Sequence, residues 1–123
     1  MTKGMAPKRF AFPKSRRLTL PAEFEQVKKK GQAQRGPLLV VSVLRENGLA
    51  FRAGFVTSRT IGRAVVRNRI RRRLREIVRK HQPDLIGGVW IVTIARAPAA
   101  AATYLELEAE WLRLAGRASI LAA

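Results

Sequence analysis

The sequence predicts an α+β domain, a single-domain α/β sandwich in which a mixed sheet of about four strands carries three helices in the order α-β-β-β-α-β-α. Three observations predict it. Val66, Ile70, Leu74, Ile77 and Val78 recur at spacings of three and four between about Val65 and His81, the period of an amphipathic helix. Leu38 to Leu44 reads LLVVSVL, a β-rich run. Gly87-Gly88 precede VWIVTIA, a run so nearly apolar that it suits a central strand buried on both faces.

The elements follow in order. Residues 1–16 form a basic N-terminal arm, read as flexible, with prolines at 7 and 13 and no acid. Pro21 opens a short helix: proline fits a first turn, and Glu23 and Glu25 suit its positive end. Phe24 and Val27, with Leu20, share one face, and Gly31 stops the helix. A weak strand is placed near residues 31–36. After LLVVSVL comes Asn47-Gly48, a hairpin signal, and Leu49–Thr57 is read as the partner strand, with Gly54 as a bulge or close-approach point. Ser58 to Val65 is a loop weakened as a helix by Gly62. Pro83 ends the basic helix and Pro98 follows the apolar strand. Ala99 to about Leu114 is a last helix, with Tyr104, Leu107, Trp111 and Leu114 on one side. The domain is thus bounded at 17–117, and residues 118–123 are read as a tail.

Charge carries the functional signal. The 123 residues hold 25 Lys and Arg against 8 Asp and Glu, a formal net charge of +17. Such a chain repels itself unless something anionic sits against it. The 22 basic residues of the stretch 1–80 face four acids, while 81–123 is nearly neutral, so one face is basic and another is not. Arg makes up 18 of the 25 cations, and its planar fork matches phosphate oxygens and stacks on bases. The densest stretch, Arg59 to Lys80, has ten basic residues and one acid. At 100° per residue Arg67, Arg71, Arg75 and Arg79 form a stripe with Asn68 and Arg72 beside it, opposite the aliphatic stripe. Two plainer readings compete. A merely solvated face leaves like charges at i, i+4 unrelieved. A membrane-surface helix could use the aliphatic stripe, but the strands offer that stripe a sheet to cover.

The inventory for catalysis is thin. There is no Cys and a single His81, so disulfides, thiolate nucleophiles and Cys- or His-rich metal sites are excluded. Glu106, Glu108 and Glu110 are spaced two apart, which on a helix scatters them around the axis. No apolar run approaches a membrane span, and no signal-peptide pattern opens the chain.

Gly62 to Glu76, GRAVVRNRIRRRLRE, resembles the signature of the bacterial ribonuclease P protein component, with Arg67-Asn68-Arg69 at its centre. The flanks agree in order: Arg17-Leu18 with Glu23-Phe24, then Gly54 to Arg59, then WIVTIAR followed by Ala97-Pro98. The likeness covers roughly residues 16 to 115. It implies a protein that binds a catalytic RNA and the 5′ leader of precursor tRNA in tRNA maturation, an endoribonuclease only as a ribonucleoprotein. Magnesium acts with the RNA, and the protein alone binds no cofactor or metal and supplies no catalytic residue. It also implies cytoplasmic work, with no membrane and no DNA, and a left-handed crossover at the signature loop, against the usual hand. Carried over by position, Arg59, Arg63, Arg67, Asn68, Arg69, Arg71, Arg72 and Arg75 face the catalytic RNA. Arg17, Phe24, Val27, Lys28 and Arg96 are placed at the leader cleft, where an aromatic face suits unpaired bases of any sequence. Lys28 stands where the family often has a second aromatic. Phe24 alone also reads as core, and Asn68 as a local brace. The alternative function is a ribosomal or other structural RNA-binding protein.

Overall fold

The computed structural model describes residues 16–46, 48 and 50–121. Helix α1 spans Pro21–Lys30, followed by strands β1 (Gln32–Arg35), β2 (Leu39–Arg45) and β3 (Arg52–Thr57). Helix α2 spans Ala64–His81, strand β4 Val89–Ala95 and helix α3 Tyr104–Arg117. The four strands form one mixed sheet in the order β1-β2-β4-β3. The N-terminal arm, apart from Arg16, lies outside the described residues.

That order corrects the hairpin reading. β2 does not pair with β3. β4 lies between them, antiparallel to β2 (Leu39 opposite Ala95, Arg45 opposite Val89) and parallel to β3. β4 is apolar on both faces, so both its backbone edges and both its surfaces are best covered at the centre of the sheet. The chain still turns at Gly48, but it must then step over one strand, roughly 10 Å, to reach β3. A turn dipeptide acts on its own dihedrals and cannot select which distant strand fills the gap. The weak first strand is real, and β1 pairs antiparallel with β2.

β3 lies at one edge of the sheet, and the residues before α1 cover it. Leu18 N donates to Ala53 O at 3.0 Å, and Arg17 bridges to Ala53. Glu23 ties α1 to the same edge, accepting from the Thr19 and Leu20 N–H groups at 3.0 Å each and from Arg52 Nη1 at 2.6 Å. These contacts, the Leu20 N–H first, hold the Glu23 carboxyl below its ordinary pKa. Leu20 itself is 60% exposed and does not join the apolar face predicted for it, because it sits in the extended cap position before the first helical turn.

The sheet has a core on each face. On one side α2 and α3 bury Ile70, Leu74, Ile77, Val78, Leu107, Trp111 and Leu114 against Leu39, Val41, Val43, Val89 and Ile91. The indole N–H of Trp111 donates to the hydroxyl of the fully buried Thr93 at 3.0 Å, so neither polar group is stranded. On the other side α1 covers a smaller cluster of Leu18, Val27, Leu44 and Val92, with Phe24, Val56, Trp90 and Ile94 at its margin. One layer of helix cannot cover that whole face, and the uncovered end is the groove described below.

The last helix starts later than the alanine run implied. Ala97–Ala101 is a 3-10 turn, and α3 begins after Thr103, whose Oγ1 accepts from Glu106 N at 3.1 Å while Glu106 Oε1 accepts from Thr103 N at 2.8 Å. This reciprocal cap fixes the start of the helix where alanine propensity does not. The three glutamates of α3 diverge as their spacing required. Glu106 caps. Glu108 accepts from Lys80 Nζ at 3.0 Å and faces His81 Nε2 at 2.7 Å. Glu110 accepts from the N–H groups of Leu38 and Leu39, both at 2.7 Å. The segment read as a C-terminal tail is packed through residue 121: Ile120 is fully buried, Ile86 N donates to Ile120 O at 2.8 Å, and Leu121 bridges to Leu85.

Candidate nucleic-acid interface

Two surfaces meet at the β3 edge. The first is the basic side of α2. It is approached through a 3-10 turn, Arg59–Ile61, and Gly62, whose φ of 144° strains any residue with a side chain. Ile61 anchors the turn in the core, which leaves Arg59 and Arg63 exposed on either side of the glycine. Along α2, Asn68 and Arg72 are exposed, while Arg67, Arg69, Arg71 and Arg75 are half-buried.

The predicted arginines are not equivalent. Arg69 turns back onto the protein: its Nη2 donates to Ala100 O at 3.1 Å, and Arg73 Nη1 donates likewise to Ala102 O at 3.2 Å. These two flank the apolar stripe and fasten α2 to the Ala97–Ala101 turn. Arg71 is braced, with Nη1 on Asn68 Oδ1 at 3.0 Å and Nη2 on Thr57 Oγ1 at 2.6 Å. Asn68 thus acts as a local brace and is also exposed. Arg75 has no hydrogen-bond or ion-pair partner among the described residues. Burial, then the neighbouring charges of Arg17 and Arg71, press its guanidinium below the ordinary arginine pKa.

The second surface is an open groove of about 760 Å³ beside α1. Phe24, Val27 and Lys28 border it from the helix, and Val40, Ser42, Val56, Val92 and Ile94 line it from the sheet. The register explains the lining: Val40 lies opposite Ile94 and Ser42 opposite Val92, so alternate residues of two paired strands point to the α1 side. Arg96 stands at the rim, with Nη1 on Gly36 O at 2.7 Å. The roles divide by exposure. Val27 is buried as floor, Phe24 is half-buried, and Lys28 and Arg96 are exposed.

Phe24 is positioned by Gly54. A Cβ built on Gly54 would lie 2.6 Å from the ring and 3.1 Å from Leu18 Cβ, so the glycine is a close-approach point. Gly54→Ala is therefore expected to push the ring out into the groove and to cost about 1–2 kcal/mol, the range of a modest overpacking. Urea unfolding and ring nuclear Overhauser contacts measure both. A ring still resting on residue 54 would contradict the expectation.

Four of the five residues predicted for the cleft, Phe24, Val27, Lys28 and Arg96, gather around this groove. Arg17 does not. It lines a separate cavity of about 170 Å³ on the other side of Phe24, shared with Leu18, Phe55, Arg71 and Arg75. Sequence reasoning missed the sheet residues of the groove and Arg35 at its edge, because a strand apolar on both faces hides which face is open. It also missed Arg52, whose guanidinium stacks 5.6 Å from the centroid of Trp90. No group of three metal-ligating side chains comes together among the described residues.

The Ribonuclease P family matches residues 12–119 of the chain. The ribonuclease P protein component of Roseiflexus sp. (strain RS-1) is 38% identical over 108 residues, covering 87% of this chain and 88% of that protein. That of Acidothermus cellulolyticus is 42% identical over 107 residues, covering 85% and 89%. The ribonuclease P protein structure from Staphylococcus aureus superposes with a TM-score of 0.80 at 29% identity, covering 86% of this chain and 97% of the other. The Thermotoga maritima structure gives 0.74 at 28%, covering 82% and 96%. The helices, the mixed sheet and the arginine-rich α2 described above all lie within the matched span, and the chain belongs to the ribonuclease P protein family.

Proposed function

We propose that this chain assembles with the catalytic RNA of ribonuclease P and holds the 5′ leader of precursor tRNA while the RNA removes it. The observation that carries the reading is the pairing, on one family member, of a ridge of Arg side chains with an adjoining apolar groove that has cationic rims. Guanidinium forks suit a folded RNA backbone, and an aromatic-bordered groove suits unstacked bases of varied sequence. The family match favours this over a ribosomal or other structural RNA-binding protein.

Magnesium belongs with the RNA in this reading. The acids of α3 are engaged in a cap, in the Lys80–His81 contact and in two backbone N–H groups, so the donor set does not fit a protein-held ion. When bound by the RNA, magnesium supplies charge stabilisation at the cleaved phosphodiester. The chain's own residues bind and orient. Among the described residues no helix is long and apolar enough to cross a membrane, and we place the work in the cytoplasm with the RNA partner.

Reconstitution tests the reading. RNA-free protein should cleave nothing, and addition of the protein to the cognate RNA should lower its magnesium requirement. Affinity for that RNA should fall with salt at a log–log slope of about -4 to -5, the value for about six neutralised phosphates. Site-specific cleavage by RNA-free protein, or a slope near zero, would sink the proposal.

A further inference from the structure

We infer that Glu23 and Arg52 are positioning residues for the groove: their ion pair latches the N-terminal end of α1 to the sheet, which sets the Phe24 ring and the width of the groove for a single unpaired strand. This deepens the function proposed above and rests on it for the identity of that strand.

Helix α1 is lightly rooted, with Val27 as its one fully buried residue. Its two ends are held differently. At the C-terminal end Gly31 alone separates Lys30 from β1, which is paired with β2, so that end moves only with the sheet. At the other end the carboxylate of Glu23 gathers the chain. Its Oε1 accepts from the Thr19 and Leu20 N–H groups and closes the first turn, while its Oε2 accepts from Arg52 Nη1 at 2.6 Å and carries the helix to β3. A swing of α1 about Gly31 would therefore be resisted at Glu23.

Arg52 is itself fixed. It lies opposite Trp90 in the parallel pairing of β3 with β4, and its guanidinium stands 5.6 Å from the centroid of the indole. The indole N–H donates to Ala50 O at 3.1 Å, so the ring beneath it is anchored too. A guanidinium already held on a ring face has less side-chain entropy to lose than the partners of an ordinary surface pair. The Glu23 side chain is 13% exposed and that of Arg52 35%, so salt screens the contact only in part.

The latch acts on the ring through short links. Phe24 follows Glu23 directly, and its ring rests on Gly54, two residues beyond Arg52 on the same strand. Helix α1 supplies Phe24, Val27 and Lys28 to one wall of the groove, and the sheet supplies the other. Measured along the axis, Phe24 lies about 10 Å from the Gly31 pivot and Lys28 only about 4–5 Å, so loss of the latch widens the groove most at the ring.

The experiment reads ring and ligand separately. In the free full-length chain, nuclear Overhauser contacts between the Phe24 ring and the Gly54 Hα protons report where the ring sits. Glu23→Gln keeps an acceptor for the first turn and loses the charge that faces Arg52. Arg52→Lys keeps the charge and loses the fork. Glu23→Gln and Arg52→Gln should each weaken the ring contacts, and Arg52→Lys should retain part of them. In the holoenzyme, Glu23→Gln and Arg52→Gln should each weaken precursor tRNA about threefold to tenfold, a fraction of what a stacked base is worth, and leave mature tRNA within about twofold. Assembly with the catalytic RNA should be unchanged. The double variant should lose no more than the worse single one, because both substitutions break the same contact. Glu46→Gln removes an exposed acid away from the groove and should change none of these readings. Urea unfolding gives the stability of each variant, and should Arg52→Gln fail to fold, Glu23→Gln with Arg52→Lys carries the same comparison. Lost stability with the ring contacts and the precursor-to-mature ratio intact would overturn the inference and leave a structural ion pair, as would losses that add in the double variant. If Phe24→Ala itself does not separate precursor from mature tRNA, the leader function falls and the ring contacts alone decide. Their loss in Glu23→Gln and Arg52→Gln then upholds the positioning role, and their persistence overturns it.

Discussion

Glu110→Ala is expected to destabilise the domain by about 3–5 kcal/mol, the loss from two stranded backbone donors. Glu110 is 7% exposed, and one of its carboxylate oxygens accepts from two successive backbone N–H groups, Leu38 and Leu39, at 2.7 Å each. Its other oxygen meets Arg113 Nη2 at 3.3 Å. The pair of N–H groups lies at the start of β2, where the chain turns out of β1. Truncation leaves both donors unpaired in a confined place, at about 1–3 kcal/mol each. Domains of this size have only about 5–15 kcal/mol in total, so the melting temperature should drop by about 10 °C or more. Glu110→Gln keeps one acceptor and should lose less than half as much. Thermal unfolding followed by circular dichroism measures both, and a shift of Glu110→Ala below about 3 °C would show that the contact is dispensable. The same glutamate in a metal-binding role would instead give a stable protein with altered metal dependence.

Phe24→Ala is expected to weaken precursor tRNA by about fivefold to two-hundredfold in the holoenzyme and to leave mature tRNA nearly unchanged. A stacked base is worth about 1–3 kcal/mol, and only the precursor has a leader to stack. Assembly with the catalytic RNA should be largely intact. The ring is half-buried against Gly54, so some stability is lost as well, and urea unfolding of the variant sets that loss apart from binding. Equal loss for both tRNAs, or a domain that no longer folds, would make Phe24 a core residue and no more. Lys28→Ala should show a smaller loss that fades as salt rises, since a point charge near phosphate is screened and a stacked ring is not.

Local pattern carried the helices and the strands into view. The spacing of Ile70, Leu74, Ile77 and Val78 fixed the buried face of α2, because a helix has one face per 3.6 residues and the sheet covers only that one. The groove was half legible. Phe24, Lys28 and Arg96 were reachable from a family likeness, but Val40, Val56 and Ile94 were not. Their strands are apolar on both sides, and only the extent of α1 decides which part of the second face stays open. Pairing was illegible for a related reason. Asn47-Gly48 is a local signal, and the partner of β2 is decided by β4, far along the chain. Arg17 shows the same limit. Sequence placed it with Phe24, which is correct as a neighbour, yet the ring stands between Arg17 and the groove. Arg69 looked like its neighbours in composition, and only the carbonyl of Ala100 distinguishes it.

The placement of β4 between β2 and β3 also sets a problem of timing. During synthesis the chain emerges from its N-terminus, so Leu39–Arg45 and Arg52–Thr57 leave the ribosome before Val89–Ala95 has emerged. The two early strands are joined by a turn suited to a hairpin, and hairpins close in about 1–10 μs. Translation adds only about 5–20 residues each second. The nascent chain therefore has seconds in which to pair β2 with β3 directly, an arrangement that the finished protein must undo. The native sheet cannot be completed until its most apolar strand is out and has entered the gap. Until then β2 and β3 expose edges and faces that other chains can capture, and the +17 charge works against that capture by keeping copies apart.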